Sequence, residues 1–293
     1  MSIYKYIILV FIALPLLGSC SKEDDLTPSN ADINGFAPEP TDNSLTAQIR
    51  NDFYKATGAY LLFNDTLVSK STNGQPELFD ITYAMVGSGS ISSHNYQYTY
   101  ITDAAEQQQA ANALQKYLTR RLGKQVPFSF LLVDDIYYTN SYGRTKHLAY
   151  LLGTRGYAIS TSNGEMYDDP KSYFNNMLLN IVIDRFNRQT NKVKDAFYAF
   201  SKDHYGADLT DDDMTIENVE HIYGFMEKFD TWGDGYYSLP YENRDVKDYI
   251  SAVLTMTRDE FVALYGDYAL MVEKYDMMRS IITNMGFNLD AED

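Results

Sequence analysis

Histidine is the first residue type to weigh, because an imidazole binds metals and moves protons near neutral pH. The chain has four: His94, His147, His204 and His221. No two stand four apart, so no helical turn presents an imidazole pair. H-E-x-x-H, which places two metal ligands and a glutamate base on one helix face, is absent. The nearest local constellation is Glu217, Glu220 and His221, with Glu217 and His221 at four-residue spacing. On so polar a segment this reads as a solvated face rather than a metal site. G-x-S-x-G and P-loop patterns are missing, and no Ser-His-Asp or Cys-His set follows from spacing. Residues 87–90, Gly-Ser-Gly-Ser, read as a flexible loop. The 26 tyrosines and one tryptophan raise a different chemistry, since aromatic faces stack on sugar rings; most read as core or strand residues. Trp232 stands in Asp230-Thr231-Trp232-Gly233-Asp234-Gly235, with Tyr236 and Tyr237 behind it, and this is the aromatic loop suited to an exposed binding role. The loop lacks the D-x-D-x-D-G spacing and distal Glu of a calcium site. No catalytic, cofactor-binding or metal-binding side chain is assigned from the residues alone.

One cysteine carries a clearer message. Lys5 precedes an apolar run, 7–17, that is too short to span a bilayer as a mature helix and reads as a signal peptide over 1–19. The run ends in Leu17-Gly18-Ser19-Cys20, which resembles a bacterial lipobox, where the cysteine is lipidated and becomes the new N-terminus. Cys20 is the only cysteine, so it is the expected lipid attachment site and no disulfide forms. Ser21-Lys22-Glu23-Asp24-Asp25 resembles the lysine-plus-acidic export signal on surface-exposed lipoproteins of the Bacteroidetes. The expected location is therefore the outer membrane, lipid-anchored and facing the cell exterior. Residues 20–44, rich in Pro, Asn and Asp toward their end, read as a flexible tether. Without residues 1–19, which hold one lysine and no acid, 23 basic residues face 40 acidic ones, a formal charge of −17. That balance excludes nucleic acid as a partner, because a phosphate backbone needs Lys and Arg clusters.

The elements that must position these residues follow from periodicity and caps. Residues 45–54 have helical spacing and end at Gly58; 59–63 read as a short strand continued at 67–68 after the turn pair Asn64-Asp65. Residues 79–100 read as irregular or edge strand. Asp103 with Glu106 resembles a capping box for a helix over 103–122, and Gly123 closes it. Two apolar runs, 128–138 and 149–159, read as strands joined through a hairpin connection at 140–144. The central helix is 169–190. Asp169 is the expected N-cap, Pro170 the first helical residue, and Phe174, Met177, Leu178, Ile181, Val182 and Phe186 form one inward stripe. Beyond it the pattern is helical: 193–204, then 246–256, 258–264 and 268–285, with Thr257 and Glu260 as a capping box and Gly286 as terminator. The fold class is α+β, a β-containing N-terminal half and a helical C-terminal half.

The order of features, from the lipobox through Pro127-Phe128-Ser129-Phe130-Leu131-Leu132-Val133-Asp134-Asp135 to Gly224-Phe225-Met226 and the closing helices, resembles the substrate import-associated zinc metallohydrolase lipoproteins of the Bacteroidetes. The likeness runs from about Leu45 to the C-terminus. It implies a zincin-like domain over 45–293, divisible into two lobes near 165–190, and association with a TonB-dependent transporter and its surface lipoprotein. The family carries H-E-x-x-H on the central helix. Setting Gln189 and Thr190 against the end of that motif region puts the motif over Ile181, Val182, Ile183, Asp184 and Arg185. Ile181 has no donor atom, Arg185 is a cation and Val182 cannot act as a base, so this is a degenerate member. Asp248 is the position that matches the family's later carboxylate ligand. The resemblance therefore implies a non-catalytic accessory or binding component of nutrient import, with no cofactor and with a peptide or glycan ligand. Two alternatives stand beside it: an active zinc enzyme with displaced ligands drawn from His204, His221, Glu217 and Asp248, and a glycan-binding lipoprotein working through Trp232 and its tyrosines.

Overall fold

The computed structural model describes residues 34–68, 75–81, 95–163, 166–231, 233 and 235–291. The signal segment, Cys20, the first part of the tether, His94, the 87–90 loop and Trp232 lie outside the described residues.

Helix α1 (Leu45–Thr57) begins where the Ser44 hydroxyl accepts from the Ala47 N–H and stops at Gly58, whose φ of 74° suits a residue without a Cβ. It buries Ala47, Ile49 and Phe53. Strand β1 (Tyr60–Leu62) follows, but β2 (Thr66–Val68) does not continue it. Instead β2 pairs antiparallel with β3 (Glu77–Leu78), because the turn at Asn64 and Asp65 redirects the chain out of the first sheet. After β4 (Gln97–Thr99), helix α2 (Ala104–Leu114) starts at Asp103, whose carboxylate accepts from the Ala105 and Glu106 N–H groups. It runs on through a π-helical turn (Gln115–Thr119) and a last α turn (Arg120–Leu122) to Gly123. A Cβ at Gly123 would run into the Gly286 carbonyl, which also accepts from the Lys124 N–H at 2.9 Å, so the helix end is locked to the C-terminal region.

The expected strand over 128–138 is two strands in two sheets. Strand β5 (Ser129–Val133) lies in the main sheet, whereas β6 (Asp135–Thr139) turns away to join β4 and β7 (Thr145–Leu148). The break falls at Asp134. Its N–H bonds to Thr99 and its carbonyl accepts from the Ser160 hydroxyl and the Ser162 N–H, so partners on different strands pull the chain off a straight course. The run over 149–159 is also divided, into β8 (Tyr150–Leu152) and β9 (Gly156–Ser160), which pair antiparallel. Gly153 donates to the Gly156 carbonyl at 2.9 Å, so the two glycines form a turn rather than interrupting a strand. The hairpin connection at 140–144 is present, with Gly143 at φ 74°, and it links β6 to β7 rather than to the later run.

The main sheet has the order β1-β5-β9-β8, parallel except for β8 at the edge. Strands β5 and β9 are buried throughout because both sheet faces are covered. Phe130, Leu132, Tyr157 and Ile159 face the larger apolar cluster; Leu131, Val133 and Ala158 face a smaller one with Leu62 and Ile136.

Helix α3 (Pro170–Asn187) is the central helix, and its whole predicted stripe is buried, with Tyr173 added. The Asp169 carboxylate accepts from the Ser172 N–H at 3.0 Å. Helix α4 (Asn191–Tyr198) is shorter than expected and gives way to a 3-10 turn (Ala199–Ser201), where the Ser201 hydroxyl donates to the Tyr223 carbonyl at 2.8 Å. The region that follows is not wholly helical. A short helix α5 (Val219–Ile222) precedes a hairpin of β10 (Phe229–Asp230) and β11 (Tyr237–Ser238). Helices α6 (Glu242–Thr255), α7 (Arg258–Tyr265) and α8 (Ala269–Asn284) close the chain, and the Thr257–Glu260 capping box is formed in both directions. The larger apolar cluster draws on residues from Ile49 to Phe287, so both halves share it around α3. The fold class is α+β, as the sequence indicates.

Candidate functional site

The motif positions of the central helix do not gather donors. Ile181 is 2% exposed within the apolar cluster, and Val182 is fully buried. Arg185 lies 3.6 Å from Asp184, a carboxylate also held by Arg188 at 2.9 Å. Asp248, on α6, has its burial-raised carboxyl at a pKa of about 6; Arg244 opposes the rise while Glu227 and Asp245 add to it. No ligand shell can be built around Arg185 from these groups.

The other candidates are kept apart. His204 stacks on the Tyr223 ring with centroids 4.2 Å apart. His221 sits between the rings of Tyr265 and Tyr268, at 5.2 and 4.9 Å. The expectation of a solvated face at Glu217, Glu220 and His221 therefore holds for Glu217 alone. Asn218 has a left-handed backbone (φ 52°), so α5 starts only at Val219 and Glu217 stays exposed outside it. Glu220 is buried and paired with Lys228 at 2.6 Å. His147 meets the Asp135 carboxylate across 2.8 Å, and the other Asp135 oxygen accepts from the Asn163 amide, on the surface strands β6 and β7 away from His204 and His221. Among the described residues no three His, Cys, Asp or Glu side chains are placed to hold one metal ion.

The arrangement with binding chemistry is a groove of about 990 Å³ between 208–214 and the β10–β11 hairpin. The hairpin is fixed by Asp230, whose carboxylate accepts from the Gly233 and Gly235 N–H groups at 2.7 and 3.1 Å. Both glycines have positive φ, 77° and 91°, which a side chain would oppose. The facing segment is tied to β11 by the Leu209 N–H on the Tyr237 carbonyl at 2.8 Å and by a bridge between Asp208 and Ser238. At the seam the Ser238 hydroxyl donates to Asp208 at 2.8 Å. It shares a 2.7 Å hydrogen bond with Thr231, and since Ser238 has one proton, Thr231 must be the donor there. Farther along, the Thr210 hydroxyl and N–H hold the Asp213 carboxyl below its usual range. Tyr236 stands 69% exposed on the rim, and Tyr237 and Met214 complete the apolar lining.

No protein-family profile, curated protein or solved structure matches this chain. The site is therefore read from its own chemistry. The groove offers acceptors in excess: the second Asp208 oxygen, the Asp211 carboxylate and the lone pairs of Thr231. Among the described residues its lining contains neither Lys nor Arg. The loop is the one singled out by sequence through Trp232, which lies outside the described residues. Asp208, Thr210 and Asp211 were missed, because their segment comes beside the hairpin only through the Asp208–Ser238 bridge.

Proposed function

We propose that this protein is a lipid-anchored, surface-exposed binding component of nutrient import in the outer membrane, a zincin-like, non-catalytic relative of the zinc metallohydrolase lipoproteins. The observation that carries the non-catalytic part is Ile181: at 2% exposure inside the apolar cluster, the first motif position has neither a donor atom nor access to an ion. Arg185 adds a cation at the second position, which repels zinc. The zincin-like assignment is supported by the long core helix following directly on the mixed sheet, where the family's motif helix is expected. Anchoring through Cys20 and partnership with a TonB-dependent transporter and its surface lipoprotein rest on the lipobox and export-signal resemblance. No helix among the described residues is long and apolar enough to cross a membrane.

The test is elemental analysis of the purified chain after equilibration with zinc and dialysis, together with a peptidase assay. We expect no stoichiometric zinc and no chelator-sensitive hydrolysis. Tightly bound zinc at one ion per chain, with peptide cleavage abolished by a chelator, overturns the reading in favour of the displaced-ligand enzyme. A Cys20→Ala variant is expected to leave the membrane fraction; retention there overturns the anchor.

A further inference from the structure

We infer that the groove between 208–214 and the β10–β11 hairpin binds an uncharged saccharide, with one sugar ring seated on Tyr236 and its hydroxyls donating to Asp208, Asp211 and Thr231. This rests on the binding reading above and names its ligand class.

Three observations converge. First, Tyr236 is 69% exposed beside an open groove of about 990 Å³, where a ring with free faces offers an apolar platform at little entropic cost. Second, the polar lining is pre-ordered. The Thr231–Ser238–Asp208 chain uses the Thr231 and Ser238 protons internally and leaves acceptor oxygens on two residues that line the groove, Asp208 and Thr231. A ligand must therefore bring donors, and a polyol brings many. Third, the charge is one-sided. Asp208 and Asp211 are exposed, and among the described residues no cation lines the groove to offset them. A uronic-acid or sulfated sugar would pay like-charge repulsion, whereas hydroxyls hydrogen-bonded to carboxylates form the stronger, charge-assisted kind. A cationic peptide would also bring donors and a charge for the Tyr236 face, so polylysine is the competing ligand in the test below.

The hairpin supplies the rigidity that recognition of a flexible polyol needs. Asp230 holds the Gly233 and Gly235 N–H groups, and the Thr231 N–H donates to the Tyr236 carbonyl at 3.0 Å, so the backbone at Tyr236, just before β11, is held before a ligand arrives.

The experiment is affinity electrophoresis and calorimetry on the purified chain from residue 21 with neutral glucans, mannans, xylans and galactans. Uronic-acid-bearing and sulfated polysaccharides and a polylysine peptide serve as comparisons. We expect at least one neutral polysaccharide to bind and the acidic ones to fail. Tyr236→Ala and Asp208→Asn should each weaken binding roughly tenfold or more, as truncation of a central contact does. Tyr142→Ala, which removes another highly exposed tyrosine remote from the groove in sequence, should bind as the parent does. Tyr236→Phe should retain most of the affinity, since the ring face is kept. The melting midpoint of each variant checks folding. Failure of every neutral polysaccharide, binding unchanged by Tyr236→Ala in a folded variant, or preference for polylysine overturns the inference. Membrane release of Cys20→Ala is read separately, so a failure of sugar binding is distinguishable from a failure of the anchored-binding reading.

Discussion

The Lys274 ammonium lies 2.8 Å from both carboxylate oxygens of Asp245, and neither residue reaches solvent: the side chains are 0% and 1% exposed. The same ammonium donates to the Ser201 hydroxyl at 2.9 Å and the Gly224 carbonyl at 2.8 Å, while Tyr205 donates to Asp245 at 2.7 Å. The rings of Phe197, Phe225 and Tyr249 stand within 5.0 Å of the cation. Burial pushes the Asp245 carboxyl up and the Lys274 amine down, and their mutual attraction works against both shifts. The pair joins α6, α8 and the 3-10 turn after α4 in one network.

Lys274→Met should therefore cost about 3–5 kcal/mol of folding stability, because it leaves a buried carboxylate without its cation. Combining it with Asp245→Leu should recover part of that loss, since no charge remains to be desolvated. Denaturant midpoints of the three proteins check this. A single variant as stable as the parent would show that the network contributes nothing.

Asp248 gives a pH dependence of defined sign. Its carboxyl is raised from 3.8 to about 6, chiefly by burial, so the folded state holds the proton more tightly than the unfolded one. The resulting stabilisation is complete below about pH 4 and is lost as pH rises through about 6. The melting temperature of Asp248→Asn relative to the parent should accordingly rise between pH 4 and 7. Parallel profiles over that window would rule out the buried carboxyl as their source.

Gly123 should not accept alanine. Its φ is 55° and a Cβ would meet the Gly286 carbonyl, so Gly123→Ala combines a strained backbone with a steric collision. We expect a loss of about 2 kcal/mol or more, read as a lowered urea midpoint.

Ile181 should behave as a core residue. Ile181→Ala is expected to cost about 2–5 kcal/mol, as truncation of a buried aliphatic side chain does. Added zinc or chelator should leave the melting temperature of the parent unchanged, because a ligand stabilises only the state that binds it.

Much of the helical framework was legible because helix ends are written locally. Asp169 and Pro170 start the central helix, Gly58 ends the first, and the Thr257–Glu260 box opens α7, each through contacts a few residues apart. The strands were read less well. The runs 128–138 and 149–159 have strand composition along their length, but whether such a run stays straight depends on what pairs with its middle, and at Asp134 the partners are Thr99, Ser160 and Ser162. Trp232 marks the hairpin that borders the groove, while the facing acids carry no motif of their own.

By itself, then, the sequence determined where the capped helices begin and end, which face of the central helix is apolar, and that Ile181 and Arg185 offer no zinc chemistry, since these follow from residue type and neighbours within a turn or two. Only the tertiary structure decided that Lys274 is buried against Asp245, that 128–138 divides between two sheets, and that Asp208 and Thr231 line one groove. Those outcomes join side chains far apart along the chain. No short-range rule favours a buried lysine or a carboxylate beside a tyrosine until the distant partner that satisfies it has been brought into place.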